Sequence, residues 1–135
     1  MVMIPKEINI GKNVTIKESV SIGNNVTIED NVYIDDGCII RDNVTIKKNS
    51  TIGARCILGE YLVDFYENHT EQNHPLTIGE NALIRSETII YGNNEIGDHF
   101  QTGHRVTIRE GAKIGDKLKL ITSEESDLEM DEAGI

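Results

Sequence analysis

Two histidines that lie close together carry the side chains best suited to chemistry. His99 and His104 are five residues apart, in a stretch that also contains Gln101 and Gly103. An imidazole has a pKa near neutrality, so it can take a proton from a hydroxyl or an amine as a general base, and it is also a common metal ligand. The pair therefore predicts either proton transfer or metal binding.

Covalent catalysis by a cysteine or serine has no support in the sequence. Cys38 and Cys56 fall at positions of the repeat that small or branched apolar residues otherwise fill, so we expect both thiols to point inward as packed side chains. Gly-x-Ser-x-Gly, the motif that exposes a nucleophilic serine on a strand-to-helix turn, does not occur. Any group transfer is therefore expected to proceed without a covalent enzyme intermediate.

A six-residue repeat sets the positions of all these side chains. The large aliphatic residues that mark it are Ile10, Ile16, Ile22, Ile28, Ile34, Ile40, Ile46, Ile52 and Leu58, followed after an insertion by Ile78, Ile84, Ile90, Ile96, Ile108, Ile114 and Leu120. A helix of period 3.6 does not give this spacing, whereas a parallel β-helix with one short strand and one turn per hexad does. The repeat predicts an all-β fold.

The turns of the repeat are also regular. Glycine often follows the aliphatic position directly, and Asn or Gly comes two residues later, at Asn13, Asn25, Asn31, Gly37, Asn43, Asn49, Asn81, Asn93 and Gly111. Because Asn and Gly tolerate positive φ best, the pattern predicts a left-handed corner in most hexads. Asn94 and Thr102 are polar residues at inward positions, and Phe100 is large for its position.

The sequence divides into a repeat region, residues 1–120, and an acidic tail, residues 121–135. The tail contains six of the 23 acidic residues and none of the 13 Lys and Arg residues, so much of the formal charge of −10 lies there. Ser126 and Glu129 could begin a short capped helix in it. The acidic charge disfavours nucleic acid as a partner, and without an apolar run of membrane length or a signal peptide we expect a cytoplasmic protein that does not bind membranes.

One insertion interrupts the repeat. Between Leu58 and Ile78 the chain has 14 more residues than one hexad needs, and the extra residues fall within 59–73. Tyr61, Phe65 and Tyr66 in this loop are three of the six aromatic residues of the chain. Such a loop predicts packing on its own β-helix, packing on a neighbouring subunit or contact with a substrate.

The hexad pattern, a large aliphatic residue followed often by Gly and, after two variable residues, by a small or branched residue, resembles that of the hexapeptide-repeat transferases. The resemblance covers residues 10–120 and implies a left-handed parallel β-helix of about six coils with three hexads each. Residues 79–110 are similar to the corresponding coils of sugar acetyltransferases, including those that act on nucleotide-linked amino sugars. The resemblance also implies a homotrimer that binds acetyl-CoA and a small sugar acceptor in clefts between subunits. Compared with members of this family, the chain looks shortened at its C-terminus.

Acyl transfer from a thioester needs a base for the acceptor and a donor for the developing oxyanion. The resemblance makes His104 the predicted base and the backbone N–H of Gly103 the predicted oxyanion donor. The predicted substrate-binding residues are Asn81, Asn93, His99, Gln101, Tyr61 and Tyr66. No metal is expected in this reaction.

Two alternatives of other classes remain open. The spacing His-x4-His of His99 and His104 also resembles that of γ-type carbonic anhydrases, which share the fold and bind zinc. Zinc would need a third protein ligand, and His69 and His74 lie in or beside the inserted loop, out of register with the repeat. The other alternative is a non-catalytic β-helical trimer that serves as a scaffold.

Overall fold

The computed structural model describes residues 6–70 and 73–121, which form seventeen short strands and one helical turn. The strands are β1 (Ile8–Ile10), β2 (Thr15–Ile16), β3 (Ser21–Ile22), β4 (Val26–Ile28), β5 (Tyr33–Ile34), β6 (Ile39–Ile40), β7 (Val44–Ile46), β8 (Thr51–Ile52), β9 (Ile57–Glu60), β10 (Leu76–Ile78), β11 (Leu83–Ile84), β12 (Ile89–Tyr91), β13 (Asn94–Ile96), β14 (Gln101–Thr102), β15 (Thr107–Ile108), β16 (Lys113–Ile114) and β17 (Lys119–Leu120). The helical turn, α1, spans Phe65–Asn68.

The strands form three parallel sheets, which the chain visits in turn. Sheet A has the order β1-β4-β7-β10-β13-β16, sheet B the order β2-β5-β8-β11-β14-β17 and sheet C the order β3-β6-β9-β12-β15. Ile8 pairs with Val26, one coil of 18 residues later, whereas across the insertion Val44 pairs with Leu76. The chain is therefore a left-handed parallel β-helix of about six coils, as predicted.

The core is a stack of aliphatic side chains on the helix axis. Inward residues such as Ile34, Ile52 and Ile84 are 0% exposed, whereas Ile10 in the first coil is 53% exposed because no coil covers it from below. Phe100 lies at 0% exposure in the same core. Alternation along each strand turns one face of every sheet inward and the other to solvent.

Polar residues at inward positions are hydrogen-bonded. The side-chain amide of Asn94 donates to the carbonyls of Tyr91 at 2.8 Å and Arg109 at 3.0 Å, and its oxygen accepts the N–H of Ala112 at 2.7 Å. The hydroxyl of Thr102 accepts the N–H of Arg85 at 3.0 Å. These side chains therefore fill structural positions within the coil.

The two cysteines lie in the core as predicted. Cys38 and Cys56 are free thiols at 0% exposure, stacked one coil apart. Their Sγ–H groups donate to the carbonyls of Gly53 at 2.9 Å and Arg85 at 3.2 Å. Hydrogen bonding to Cys38 and burial raise the pKa of Cys56, so its thiolate is disfavoured.

The left-handed corners occur where the second Asn or Gly of each turn was predicted to give them. All nine predicted positions have positive φ, from Asn13 at 57° to Gly111 at 84°. The glycine that directly follows the aliphatic position has a different role in most coils, because a Cβ at Gly11 would lie 2.3 Å from the carboxylate of Asp30. That carboxylate accepts the N–H of Lys12 at 2.8 Å, so the glycine leaves room for a contact between coils.

The insertion leaves the β-helix at the corner between β9 and β10, and α1 forms its outer part. The predicted helix start at Ser126 lies outside the described residues, as does most of the acidic tail. Within the described residues no helix is long and apolar enough to cross a membrane. The cytoplasmic location stays a prediction.

Candidate functional site

Each coil has three corners, and the predicted site residues are distributed over all of them. The first corner joins sheet A to sheet B, the second joins B to C, and the third joins C to A. Asn81 and His99 lie at the first corner and His104 at the second, while Gln101 lies on the strand between these two corners. Asn93 and the inserted loop lie at the third corner. One chain therefore brings only part of the predicted site together.

At the first corner Asn81 and His99 occupy equivalent positions in successive coils. Both are exposed and both have positive φ, 58° and 60°. The backbone N–H of His99 donates to the carbonyl of Glu80 at 2.8 Å. The two residues, 18 positions apart, therefore stack one coil above the other, and a ligand at this corner would meet both side chains.

At the second corner His104 is half-buried and Gly103 is buried. The backbone N–H of Gly103 donates to the carbonyl of Leu120 at 2.7 Å, as part of the hydrogen bonding between coils. A role for Gly103 as oxyanion donor would require that bond to open. The roles of His104 as base and of Gly103 as oxyanion donor remain predictions from the sequence.

At the third corner the inserted loop packs on its own β-helix. The rings of Tyr61 and Phe65 stack with centroids 3.8 Å apart, and the guanidinium of Arg41 lies 4.0 Å from the centroid of Tyr61. Arg41 also pairs with Glu60 at 3.0 Å. Tyr66 meets Phe65 edge-on and is 59% exposed, so its ring is open to a ligand or a neighbouring subunit.

This packing builds a pair of groups that the sequence analysis did not select. His74 Nε2 and Asp64 Oδ2 are 2.9 Å apart, and the two side chains are 30% and 37% exposed. The other carboxylate oxygen, Asp64 Oδ1, is buried and has no hydrogen-bond partner among the described residues. Such an unpartnered buried oxygen is unusual in a folded protein.

A small cleft adjoins the pair. It is lined by Arg41, Gly59, Tyr61, Phe65 and His74, among others. The carboxylate of Asp64 can fix the ring orientation of His74 and stabilise the imidazolium, which is the arrangement of a general base and its orienting acid. The repeat gave no signal for this pair, since His74 and Asp64 lie outside the hexads and meet only because the loop returns to the corner that it left.

A metal centre is less well supported. Within residues 6–70 and 73–121 no group of three His, Cys, Asp or Glu side chains is close enough to hold a metal ion. His99 and His104 lie at different corners of their coil, and among the residues that the structure describes neither is part of a group with the three ligands that zinc would need.

The comparisons with known proteins agree with the repeat and the fold. The family model described as bacterial transferase hexapeptide (six repeats) matches residues 25–60, and the one described as hexapeptide repeat of succinyl-transferase matches residues 4–36. No curated protein has a significantly similar sequence.

Among solved structures, a point mutant of AntD, an N-acyltransferase from Bacillus cereus in complex with dTDP and coenzyme A, is similar with a TM-score of 0.60. The two sequences are 22% identical, and the match covers 84% of this chain and 78% of AntD. The acetyltransferase domain of PglB from Neisseria gonorrhoeae has a TM-score of 0.38 and 16% identity, with 86% of this chain and 47% of that chain covered. The chain is therefore similar to hexapeptide-repeat transferases in its repeat and to AntD in its fold.

Proposed function

We propose that the protein transfers an acetyl group from acetyl-CoA to a sugar, with a nucleotide-linked amino sugar as the acceptor class. The hexapeptide-repeat matches and the fold shared with AntD support transferase chemistry. The observation that carries the proposal is the His74–Asp64 pair beside a loop-covered cleft. A carboxylate-oriented imidazole is the group that this reaction requires of the protein.

The reaction needs one proton transfer in each direction. A histidine takes the proton of the acceptor amine or hydroxyl as that group attacks the thioester carbonyl, and Asp64 stabilises the imidazolium formed at His74. When the carbon–sulfur bond breaks, the departing thiolate of CoA takes the proton back from the imidazolium. No covalent enzyme intermediate is needed, in agreement with the inward position of both cysteines.

Self-association as a homotrimer is part of the proposal. The outward residues Ile39, Ile57 and Ile89 form a half-buried apolar column on sheet C. Sheet C joins the second corner to the third, so three copies that turn this sheet toward a common axis place the second corner of one copy beside the third corner of the next. His104 of one copy and the His74–Asp64 pair of its neighbour would then line the same cleft.

The charges of these two corners favour that arrangement. The segment 59–74 contains four acidic residues and no Lys or Arg. The three upper coils of the second corner carry Arg55, Arg85 and Arg105 against one acidic residue, Glu87. Opposite charges on facing corners favour one register of association over others.

The test is the release of CoA thiol from acetyl-CoA in the presence of nucleotide-linked amino sugars, in variants of each histidine. His74→Asn or His104→Asn should lower kcat by about 10²–10⁴-fold where the residue is the base. His69→Asn is the matched control, because His69 is exposed on the same loop with a φ of 58°, which Asn tolerates. Activity that survives both His74→Asn and His104→Asn would refute a histidine base.

Two further measurements separate the parts of the proposal. Asp64→Asn should lower kcat and alter the pH profile without changing KM for acetyl-CoA, because Asp64 acts through His74. Ile57→Glu should convert a trimer into monomers in sedimentation and abolish activity. A wild-type monomer would exclude a site between subunits, and a trimer without turnover on any acceptor would favour the scaffold alternative.

A further inference from the structure

The second corner places long charged side chains at its left-handed positions more often than the other corners do. The first corner has Asn13, Asn31, Asn49 and Asn81 at these positions in its four lower coils, and His99 and Lys117 in its two upper coils. At the second corner the three upper coils place Arg55, Glu87 and Arg105 in this conformation, with φ of 57°, 65° and 56°. Long side chains are disfavoured there relative to Asn and Gly, so a reason for their presence has to lie in the side chains themselves.

The three side chains form a ladder on the surface. Arg55 Nε lies 3.2 Å from Glu87 Oε2, and Arg105 Nη1 lies 3.7 Å from Glu87 Oε1. The side chains of Arg55, Glu87 and Arg105 are 62%, 41% and 57% exposed. Exposed ion pairs contribute little to stability, so this ladder does not offset the unfavourable backbone.

The ladder holds the guanidinium groups of Arg55 and Arg105 near the carboxylate of Glu87. Among the described residues the terminal amino groups of Arg55 have no hydrogen-bond partner, since only its Nε contacts Glu87. Arg85 and His104 belong to the same corner in the neighbouring coils. In the three coils that carry the ladder, this corner has three arginines against one glutamate, whereas its two lower coils contain Lys17, Glu18, Asp35 and Asp36.

We propose that the Arg55–Glu87–Arg105 ladder binds the diphosphate group of a substrate. Arginine matches phosphate oxygens with a planar fork of donors, and two arginines two coils apart, roughly 9.6 Å along the axis, can converge on adjacent phosphates. Glu87 keeps the two guanidinium groups oriented toward each other. CoA and a nucleotide-linked sugar both carry a diphosphate, so the choice of ligands rests on the proposed function.

The test measures binding without turnover. Inorganic pyrophosphate, CoA and UDP are titrated by calorimetry into the wild type, Arg55→Asn and Arg105→Asn, with pantetheine and uridine as probes that lack phosphate. Asn suits the positive φ, so both variants should fold with an unchanged or higher Tm. Each should bind pyrophosphate at least about tenfold more weakly, as expected for one charge-assisted contact.

Lys12→Gln is the control. Lys12 is an exposed cation at the first corner of the lowest coil, so the substitution removes one positive charge far from the ladder. Its affinity for pyrophosphate should equal that of the wild type, because the first corner takes no part in the proposed site. An equal loss in all three variants would mean a general charge effect and would overturn the proposal, as would unchanged affinity in Arg55→Asn and Arg105→Asn.

The two substrate arms identify the source of the diphosphate. A loss confined to CoA assigns the ladder to the acyl donor, and a loss confined to UDP assigns it to the acceptor. Arginine-dependent binding in a protein that shows no acetyl transfer would support the ladder while the proposed function fails. Acetyl transfer by the protein, together with unchanged affinities for pyrophosphate, CoA and UDP in Arg55→Asn and Arg105→Asn, would support the proposed function and overturn the role of the ladder.

Discussion

Replacing Gly79 by Ala tests whether glycines after the aliphatic position are required for coil spacing. A Cβ at Gly79 would lie 2.5 Å from the backbone carbon and oxygen of Gly97 and 2.6 Å from Asp98 Oδ1. That carboxylate oxygen accepts the N–H of Glu80 at 2.8 Å. The methyl group therefore has to push two coils apart or displace a hydrogen bond between them.

The magnitude follows from these contacts. Overpacking costs about 1–3 kcal/mol, and weakening a hydrogen bond to a carboxylate costs about 1.5–3 kcal/mol. Ala restricts the unfolded chain and returns about 0.4–1 kcal/mol. We expect Gly79→Ala to lower the free energy of unfolding by about 2–5 kcal/mol, a large part of the total for a domain of this size.

Gly115→Ala is the matched control for this prediction. Gly115 has the same place in its hexad, and no atom of the described residues lies within 4 Å of a Cβ built there. This variant should be unchanged or more stable by about 0.4–1 kcal/mol. Urea unfolding followed by circular dichroism measures both variants. Equal stabilities for Gly79→Ala and Gly115→Ala would refute the explanation by space between coils.

Three further predictions concern the core and the third corner. Phe100→Ala should destabilise the protein by about 3–5 kcal/mol in the same assay, because the ring is fully buried. Cys38 and Cys56 should not react with Ellman's reagent in the native protein and should both react in denaturant, since both are buried and the pKa of Cys56 is raised; rapid labelling of the native protein would contradict this. Hydrogen bonding from Arg109 holds the pKa of Glu110 below its ordinary value, so the stability that this carboxylate contributes is present above its unfolded pKa and is lost as pH falls through the folded pKa. Arg109→Gln should therefore raise the pKa of Glu110 in an NMR titration. An unchanged pKa would argue against the pairing.

The sequence predicted the fold well because the residue types within each hexad determine the local structure of that hexad. An aliphatic residue at every sixth position needs a buried stack, and Asn at the corner needs a left-handed conformation, so the register of strands such as β4 and β7 follows without long-range information. The glycines were predictable in position but not in role. Positive φ falls on Asn13, whereas Gly11 leaves space for Asp30 of the next coil, which only the stacked coils reveal.

The candidate site was less predictable, because it depends on contacts outside the repeat. His74 and Asp64 are ten residues apart and have no periodic relation to the hexads. They meet because Arg41 and the stacked rings of Tyr61 and Phe65 hold the loop against the corner. His104 was selected by resemblance, and it lies at a different corner of the coil from Asn93 and the loop. In the proposed trimer these residues share a site through a neighbouring copy.

The repeat itself explains where function can reside in such a chain. Inward positions are committed to the aliphatic stack, and the backbone groups of each strand are used by the coils above and below, so chemistry is restricted to outward faces and corners. At a corner, Asn satisfies the left-handed conformation at little cost, and its side chain can also bond to the next coil, as Asn25 does to Asn43 at 2.7 Å. Positions that forgo this solution, such as Arg55, Glu87 and Arg105, are therefore the ones at which we expect a ligand to bind.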